Sequence, residues 1–207
     1  MNKDYDIIIL GGGSAGLNCA IELIGSNKNV LILEKEQKNS NDRTWSFWES
    51  GKGKFDDILY KKWSKINFYG FTSIEKESID PYFYKMIRSA DFYKLAHERI
   101  NQSSNVHISK NAVVELQEQE NSVIVKTDTD VFTTEIVLDS VFIPEIKKNT
   151  YPNVAQHFGG WFLETKEDVF EEDTATLMDF RIDQKTDTRF FYVLPFSARK
   201  ALIEIAI

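Results

Sequence analysis

Cysteine is almost absent from this sequence. The single thiol, Cys19, cannot form an internal disulfide, which points to a reducing compartment and a cytoplasmic location. Its place in the first helical segment fits a core position. Histidine is nearly as scarce, and His97, His107 and His157 are too widely spaced to support a metal site. No apolar run approaches the ~18 residues that a membrane-spanning helix needs, so membrane contact is expected to be peripheral at most. The opening Met1-Asn2-Lys3-Asp4-Tyr5 is too short and polar to read as a signal peptide. Positive charge is not in excess either. With 25 Lys and Arg against 32 Asp and Glu, the net charge is −7, which argues against a general nucleic-acid binder. Internal repeats and low-complexity tracts are missing too.

What is present starts with a glycine cluster. Asp6-Ile7-Ile8-Ile9-Leu10 is a short apolar run that leads into Gly11-Gly12-Gly13-Ser14-Ala15-Gly16. The apolar period then changes, with Leu17, Ala20, Ile21 and Ile24 on one helical face. A second run, Val30-Leu31-Ile32-Leu33, ends in Glu34, and Lys35 follows. The order strand, glycine turn, helix, strand, acid is the fingerprint of a dinucleotide site. In that reading Gly11 lets the chain turn out of the strand, Gly13 leaves room for a pyrophosphate, and Gly16 lets the helix sit close to the strand. The N–H groups at the helix start favour phosphate charge, and Glu34 can accept hydrogen bonds from an adenosine ribose. Residues Gly11 to Gly16, Glu34 and Lys35 are therefore candidate cofactor-binding residues.

Further along, Arg43-Thr44-Trp45-Ser46-Phe47-Trp48-Glu49 carries aromatics that suit either a flat-ring pocket or a plain core. Gly51 to Lys54 reads as an exposed turn and Lys65 to Tyr69 as a strand. Tyr82 to Ile87 reads as another strand with Arg88 at its end, and Asp91 opens a helix carrying Phe92, Leu95, Ala96 and Ile100. An arginine at such a junction is placed either to meet phosphate oxygens or to face solvent. Val106 to Ile108, Val113 to Glu118 and Val123 to Lys126 read as three strands, the last two a hairpin. Thr134 to Leu138 is a strand expected to rejoin the parallel sheet, which would put Asp139 at the ligand-binding carboxyl edge; a simple strand-end cap is the other reading.

Near Ile143-Pro144 the chain changes character, and aromatic, β-prone segments follow. The expected fold class is α/β. A Rossmann-like FAD/NAD(P)-binding domain with an inserted β-meander spans 1–143, and a partial antiparallel-sheet substrate domain spans 144–207.

The later segments are distinctive. Asn41-Asp42-Arg43-Thr44-Trp45-Ser46-Phe47-Trp48, Gln156-His157-Phe158-Gly159-Gly160-Trp161, Leu177-Met178-Asp179-Phe180, Phe191-Tyr192-Val193-Leu194-Pro195 and Ala201-Leu202-Ile203-Glu204 follow the N-terminal glycine motif in order. In this the chain resembles the flavin-dependent lycopene cyclases of the β-cyclase type. The resemblance implies a redox-neutral isomerisation. A proton adds to a terminal alkene of lycopene, ring closure traps the cation, and a proton is lost to leave a β-ionone ring. It also implies reduced FAD as cofactor, with NAD(P)H as a reductant and no net electron transfer.

Glu204 aligns with the first acid of the family motif that follows the Tyr-x-x-Pro segment, and is the first candidate for general acid or base. On alternation it shares a strand face with Leu202 and Ala206, and apolar surroundings would keep a carboxyl protonated. Asp179 is a second, lesser candidate, and His157 a candidate proton shuttle. The aromatic share of 13% suits cation–π stabilisation of a carbocation or a plain core. The chain stops at Ile207 where family members run on. The expectation is a chain lacking a C-terminal half that would carry a later glycine-rich segment and the helices of a substrate tunnel. A flavin-dependent monooxygenase-type oxidoreductase and an inactive fragment remain as alternatives.

Overall fold

The structure, a computed structural model, describes residues 3–71, 74–141 and 154–207. In chain order the strands are β1 (Lys3–Leu10), β2 (Val30–Leu33), β3 (Thr44–Ser50), β4 (Leu59–Trp63), β5 (Lys65–Tyr69), β6 (Ile74–Ser78) and β7 (Tyr82–Arg88). They continue with β8 (Val106–Ser109), β9 (Val113–Glu118), β10 (Val123–Thr127), β11 (Val131–Asp139), β12 (Phe158–Glu164), β13 (Thr174–Asp179), β14 (Phe190–Pro195) and β15 (Lys200–Ala206). The helices are α1 (Ser14–Glu22) and α2 (Ser89–Asn101). Among the described residues no helix is long and apolar enough to cross a membrane.

The chain divides into two units. The first is Met1–Arg43 with Ser89–Glu145, and the second is Thr44–Arg88 with Ile146–Ile207. The sequence boundary at 143/144 lies outside the described residues. The segment Thr44–Arg88, read from sequence as part of the first domain, belongs to the second unit. The reason is long-range pairing: β5 runs beside β13, with Lys65 opposite Thr174. No local signal at residue 65 reports a partner so far along the chain.

The first unit is a six-stranded sheet in the order β8-β2-β1-β11-β10-β9. The first four strands are parallel, and β10 and β9 add on antiparallel. Buried parallel strands read as unbroken apolar runs, and Val30–Leu33 is buried at all four positions. On one face Ile8, Leu10, Leu31 and Leu33 pack with Val125 and Phe132. The alternate residues Ile7, Ile9, Val30 and Ile32 are also buried, and α1 packs on β1 and β2 with Leu17, Ala20 and Ile21 inward. Cys19 is only half-buried on that helix, not in the core. The expected hairpin closes where the Gln119 N–H donates to the Ser122 carbonyl at 2.8 Å. As expected, β11 returns parallel to β1, so that Asp139 lies opposite Leu10.

The second unit holds a six-stranded sheet in the order β12-β15-β14-β13-β5-β6 and a three-stranded sheet, β3-β7-β4. The larger sheet is antiparallel except where β13 meets β5. Trp63, Met86, Ala175, Leu194 and Leu202 form its core, with Tyr84, Tyr192 and Phe196 against them. The indole N–H of Trp63, fully buried, donates to the Pro195 carbonyl at 2.9 Å. Lys85 is buried as well. Its ammonium donates to Glu49 at 2.9 Å, Asp56 at 2.6 Å and the Gly51 carbonyl at 2.7 Å, so the charge is fully partnered.

Candidate functional site

The glycine turn is built as its sequence requires. Gly11 sits at φ +96°, a conformation L side chains rarely adopt, and its N–H donates to the Leu33 carbonyl at 2.9 Å. A Cβ on Gly16 would stand 2.0 Å from the Gly11 carbonyl oxygen, so only glycine lets α1 start this close to the turn. Gly13 caps α1, and nothing lies within 4 Å of where its Cβ would be. That open side is where a backbone-bound group can approach. Ser14 and Ala15 form the first turn of α1.

Glu34 follows β2 directly, beside this turn. Its Oε2 accepts from the Gly12 N–H at 2.6 Å and its Oε1 from the Glu36 N–H at 2.8 Å. The two bonds fix the carboxylate at the rim of a cavity of about 360 Å³ lined by Gly11, Gly13, Glu34, Lys35, Lys38 and Ser140, among others. Sequence reasoning missed Lys38 and Ser140. The Lys38 ammonium lies 2.8 Å from Glu36 and 3.8 Å from Asp42, and the Glu36 hydrogen bond, opposed by partial burial, raises its pKa. The Ser140 hydroxyl donates to the Leu10 carbonyl at 2.6 Å. Asp139 reaches the carboxyl edge as expected, but its carboxylate accepts the Val141 N–H at 2.8 Å, a turn-forming bond. Arg88 lies in the second unit, at the end of β7, with its guanidinium 4.5 Å from the ring centre of Tyr60.

The second candidate site is inside the second unit. A cleft of about 410 Å³ is lined by Ser46, Trp48, Tyr84, Leu177, Tyr192 and Glu204, among others. Glu204 is half-buried, and burial pushes its carboxyl pKa up. Among the described residues nothing hydrogen-bonds to or pairs with that carboxyl. Beside it the Tyr84 and Tyr192 hydroxyls meet at 2.5 Å. Burial and the Tyr84 neighbour drive the Tyr192 phenol pKa far up, so it stays neutral. Trp48 packs 4.9 Å from Tyr84, ring centre to ring centre. The cluster Arg43–Glu49 thus forms β3, and its Trp48 lines this cleft.

Asp179, the lesser candidate acid, is not among the residues that line this cleft. Arg181 donates to it twice, at 2.8 Å and 2.6 Å, and that hydrogen-bonded pairing holds its carboxyl below the usual range. An acid kept ionised by a guanidinium is a poor proton donor. The cleft is lined by Leu177 and Met178 instead. His157 is exposed, its backbone paired with Ile207. No group of three or more His, Cys, Asp or Glu among the described residues is arranged to hold a metal ion.

The two units together give an α/β fold, with a mostly parallel sheet carrying the glycine turn in one and antiparallel-rich sheets in the other. The solved structures agree. The fold matches a probable FAD-dependent monooxygenase from Pseudomonas aeruginosa at TM-score 0.65 and 14% identity, covering 99% of this chain and 61% of that one. It matches a geranylgeranyl bacteriochlorophyll reductase-like protein from Thermoplasma acidophilum at 0.68 and 13%, covering 100% and 57%. A flavin-dependent brominase matches at 0.67 and 16%, covering 99% and 56%. The chain therefore spans about 60% of the length of these structures. Within that fold its membership is specific: the model of the lycopene cyclase protein family matches residues 6–206, and the chain belongs to the lycopene cyclase family.

Proposed function

We propose that this chain carries the flavin-binding and acid-bearing parts of a lycopene β-cyclase. The observation that carries the reading is Glu204. It is the one acid of the cleft, raised in pKa by burial and without a hydrogen-bond partner among the described residues. A carboxyl in that state holds its proton to higher pH than a solvated one, which suits donation to a weak base such as an alkene.

The chemistry follows from that placement. Glu204 gives its proton to a terminal double bond of lycopene, and the O–H electron pair stays on the carboxylate. The next double bond closes the ring on the cation. A C–H proton is lost to restore an alkene, so product and substrate are isomers and no electrons are consumed. Tyr84, Tyr192 and Trp48 line the cleft with aromatic faces, which favour a developing positive charge. Tyr192 stays neutral and adds no competing charge.

The first unit fits FAD. Gly13 leaves the space a pyrophosphate needs, α1 supplies N–H groups, and Glu34 stands where a ribose hydroxyl would be bound. When bound, reduced FAD would supply electron density that stabilises positive charge. NAD(P)H as its reductant, and peripheral membrane contact as the route to a water-insoluble substrate, belong to the same proposal. The test is Glu204→Gln. Cyclisation with reduced FAD should be lost while flavin binding is kept; cyclisation at the parent rate would end the assignment.

A further inference from the structure

Glu204 stands in the middle of a row that crosses three strands on one face of the sheet. Gly160 of β12 lies opposite it on one side and Tyr192 of β14 on the other. Directly paired residues hold their Cβ atoms only ~4.5–5.5 Å apart, so the Glu204 side chain must share space with one neighbour or the other. On the Tyr192 side it meets a large ring that cannot give way. The Tyr192 hydroxyl is bonded to that of Tyr84, and Tyr84 is packed against Trp48 and Trp63.

On the Gly160 side the space is already taken by the acid. A Cβ on Gly160 would stand 2.6 Å from Glu204 Cγ and 3.2 Å from its Oε1, with the Ile203 carbonyl oxygen at 3.3 Å. Gly160 does not adopt a positive φ, so its backbone does not demand glycine. The neighbouring Gly159 shows the contrast: a Cβ there would meet only Ile205 Cγ2, at 4.0 Å. Of the two glycines in Phe158-Gly159-Gly160-Trp161, one is explained by the acid opposite it.

We propose that Gly160 is a positioning residue for Glu204, its missing side chain forming the seat in which the carboxyl lies against β12 while the latched Tyr192 ring closes the opposite side. The role rests on the reading of Glu204 as proton donor, and it explains how a half-buried acid holds one orientation without a hydrogen bond. Other ionisable groups near the row are engaged elsewhere. Lys200, on the same strand face, pairs with Glu164 of β12 at 3.3 Å, and Asp179 of β13 pairs with Arg181. The titratable groups lining the cleft beside Glu204 are the two phenols, Tyr84 and Tyr192.

The experiment is a carbon-13 NMR titration of the glutamate carboxyls in the full 207-residue chain, with the Glu204 signal assigned by its loss in Glu204→Gln. In the parent, Glu204 should titrate above the ordinary glutamate value. In Gly160→Ala the new methyl takes the seat, the carboxyl is lifted toward water, and the midpoint should fall toward the ordinary value. Gly159→Ala should leave it in place, and both variants should melt as the parent does. A misplaced acid should also cost about 100-fold in kcat with KM little changed.

Should Gly160→Ala fail to fold, Tyr192→Ala opens the row from the other side and should lower the midpoint likewise. An unchanged midpoint in either folded variant would overturn the proposal. A shifted midpoint together with full cyclisation by Glu204→Gln would keep the seat and remove the proton-donor reading. An unshifted midpoint with an inactive Glu204→Gln would do the reverse.

Discussion

The Gly16 Cα and the Gly11 carbonyl oxygen are packed so closely that a methyl group on Gly16 would overlap the oxygen, at 2.0 Å. The clash is with backbone, so no rotamer change relieves it. Gly16→Ala is therefore expected to push α1 off the turn and abolish retention of FAD after desalting, read from the visible flavin bands. Gly13→Ala meets no protein atom, so it should fold normally and weaken flavin binding only.

Trp63 joins the two sheets of the second unit through its indole N–H, which donates to Pro195. Trp63→Phe keeps most of the buried ring and strands the carbonyl. The expected loss is about 1–3 kcal/mol in urea unfolding, against about 3–5 kcal/mol for Trp63→Ala, which adds a cavity.

Lys85 is the most deeply buried charge among the described residues of that unit, held by Glu49 and Asp56. Lys85→Met removes the cation and leaves two carboxylates side by side. Both still reach water, so the expected cost is about 2 kcal/mol, below the ~3–5 kcal/mol of breaking a fully buried pair. Adding Glu49→Gln should recover part of it.

Glu204 makes its own contribution to the pH dependence of stability, with a sign that can be worked out. Burial raises its folded-state pKa, so between the ordinary and the raised value the folded chain binds more protons than the unfolded chain. Stability from this group is then full below the ordinary glutamate pKa and falls as pH rises through the raised one. Glu204→Gln removes that penalty. The variant should melt slightly higher than the parent at neutral pH, with the gap closing as pH drops toward 4.5, the ordinary value for this group. Asp179 acts in the opposite sense. The Arg181 hydrogen bonds lower its pKa, so its contribution is present above the ordinary aspartate pKa and is lost on acidification.

How much was legible in the sequence follows from how local each feature is. The glycine turn, both its flanking strands and the β9–β10 hairpin are encoded by neighbours, and they stand where the pattern puts them. Asp139 was placed correctly at the sheet edge because its strand ends in an acid, but its bond to Val141 depends on turn geometry that no residue pattern reports. The assignment of residues 44–88 to the second unit rests on β5 meeting β13 more than a hundred residues on. The Tyr84–Tyr192 contact is equally distant in sequence, and the fit of Glu204 against Gly160 also joins separate strands, β12 and β15. Asp179 looked apolar by its immediate neighbours Met178 and Phe180. The guanidinium two residues away decides its ionisation instead.

The most direct measurement is cyclisation in deuterium oxide, with reduced FAD and lycopene supplied in lipid vesicles. Proton donation by Glu204 requires the ring product to carry one solvent-derived deuterium, with no reduced nicotinamide consumed per ring, and requires the Glu204→Gln chain to form no such product. Labelled product at the parent rate from Glu204→Gln, or nicotinamide oxidation matched to product, would contradict it.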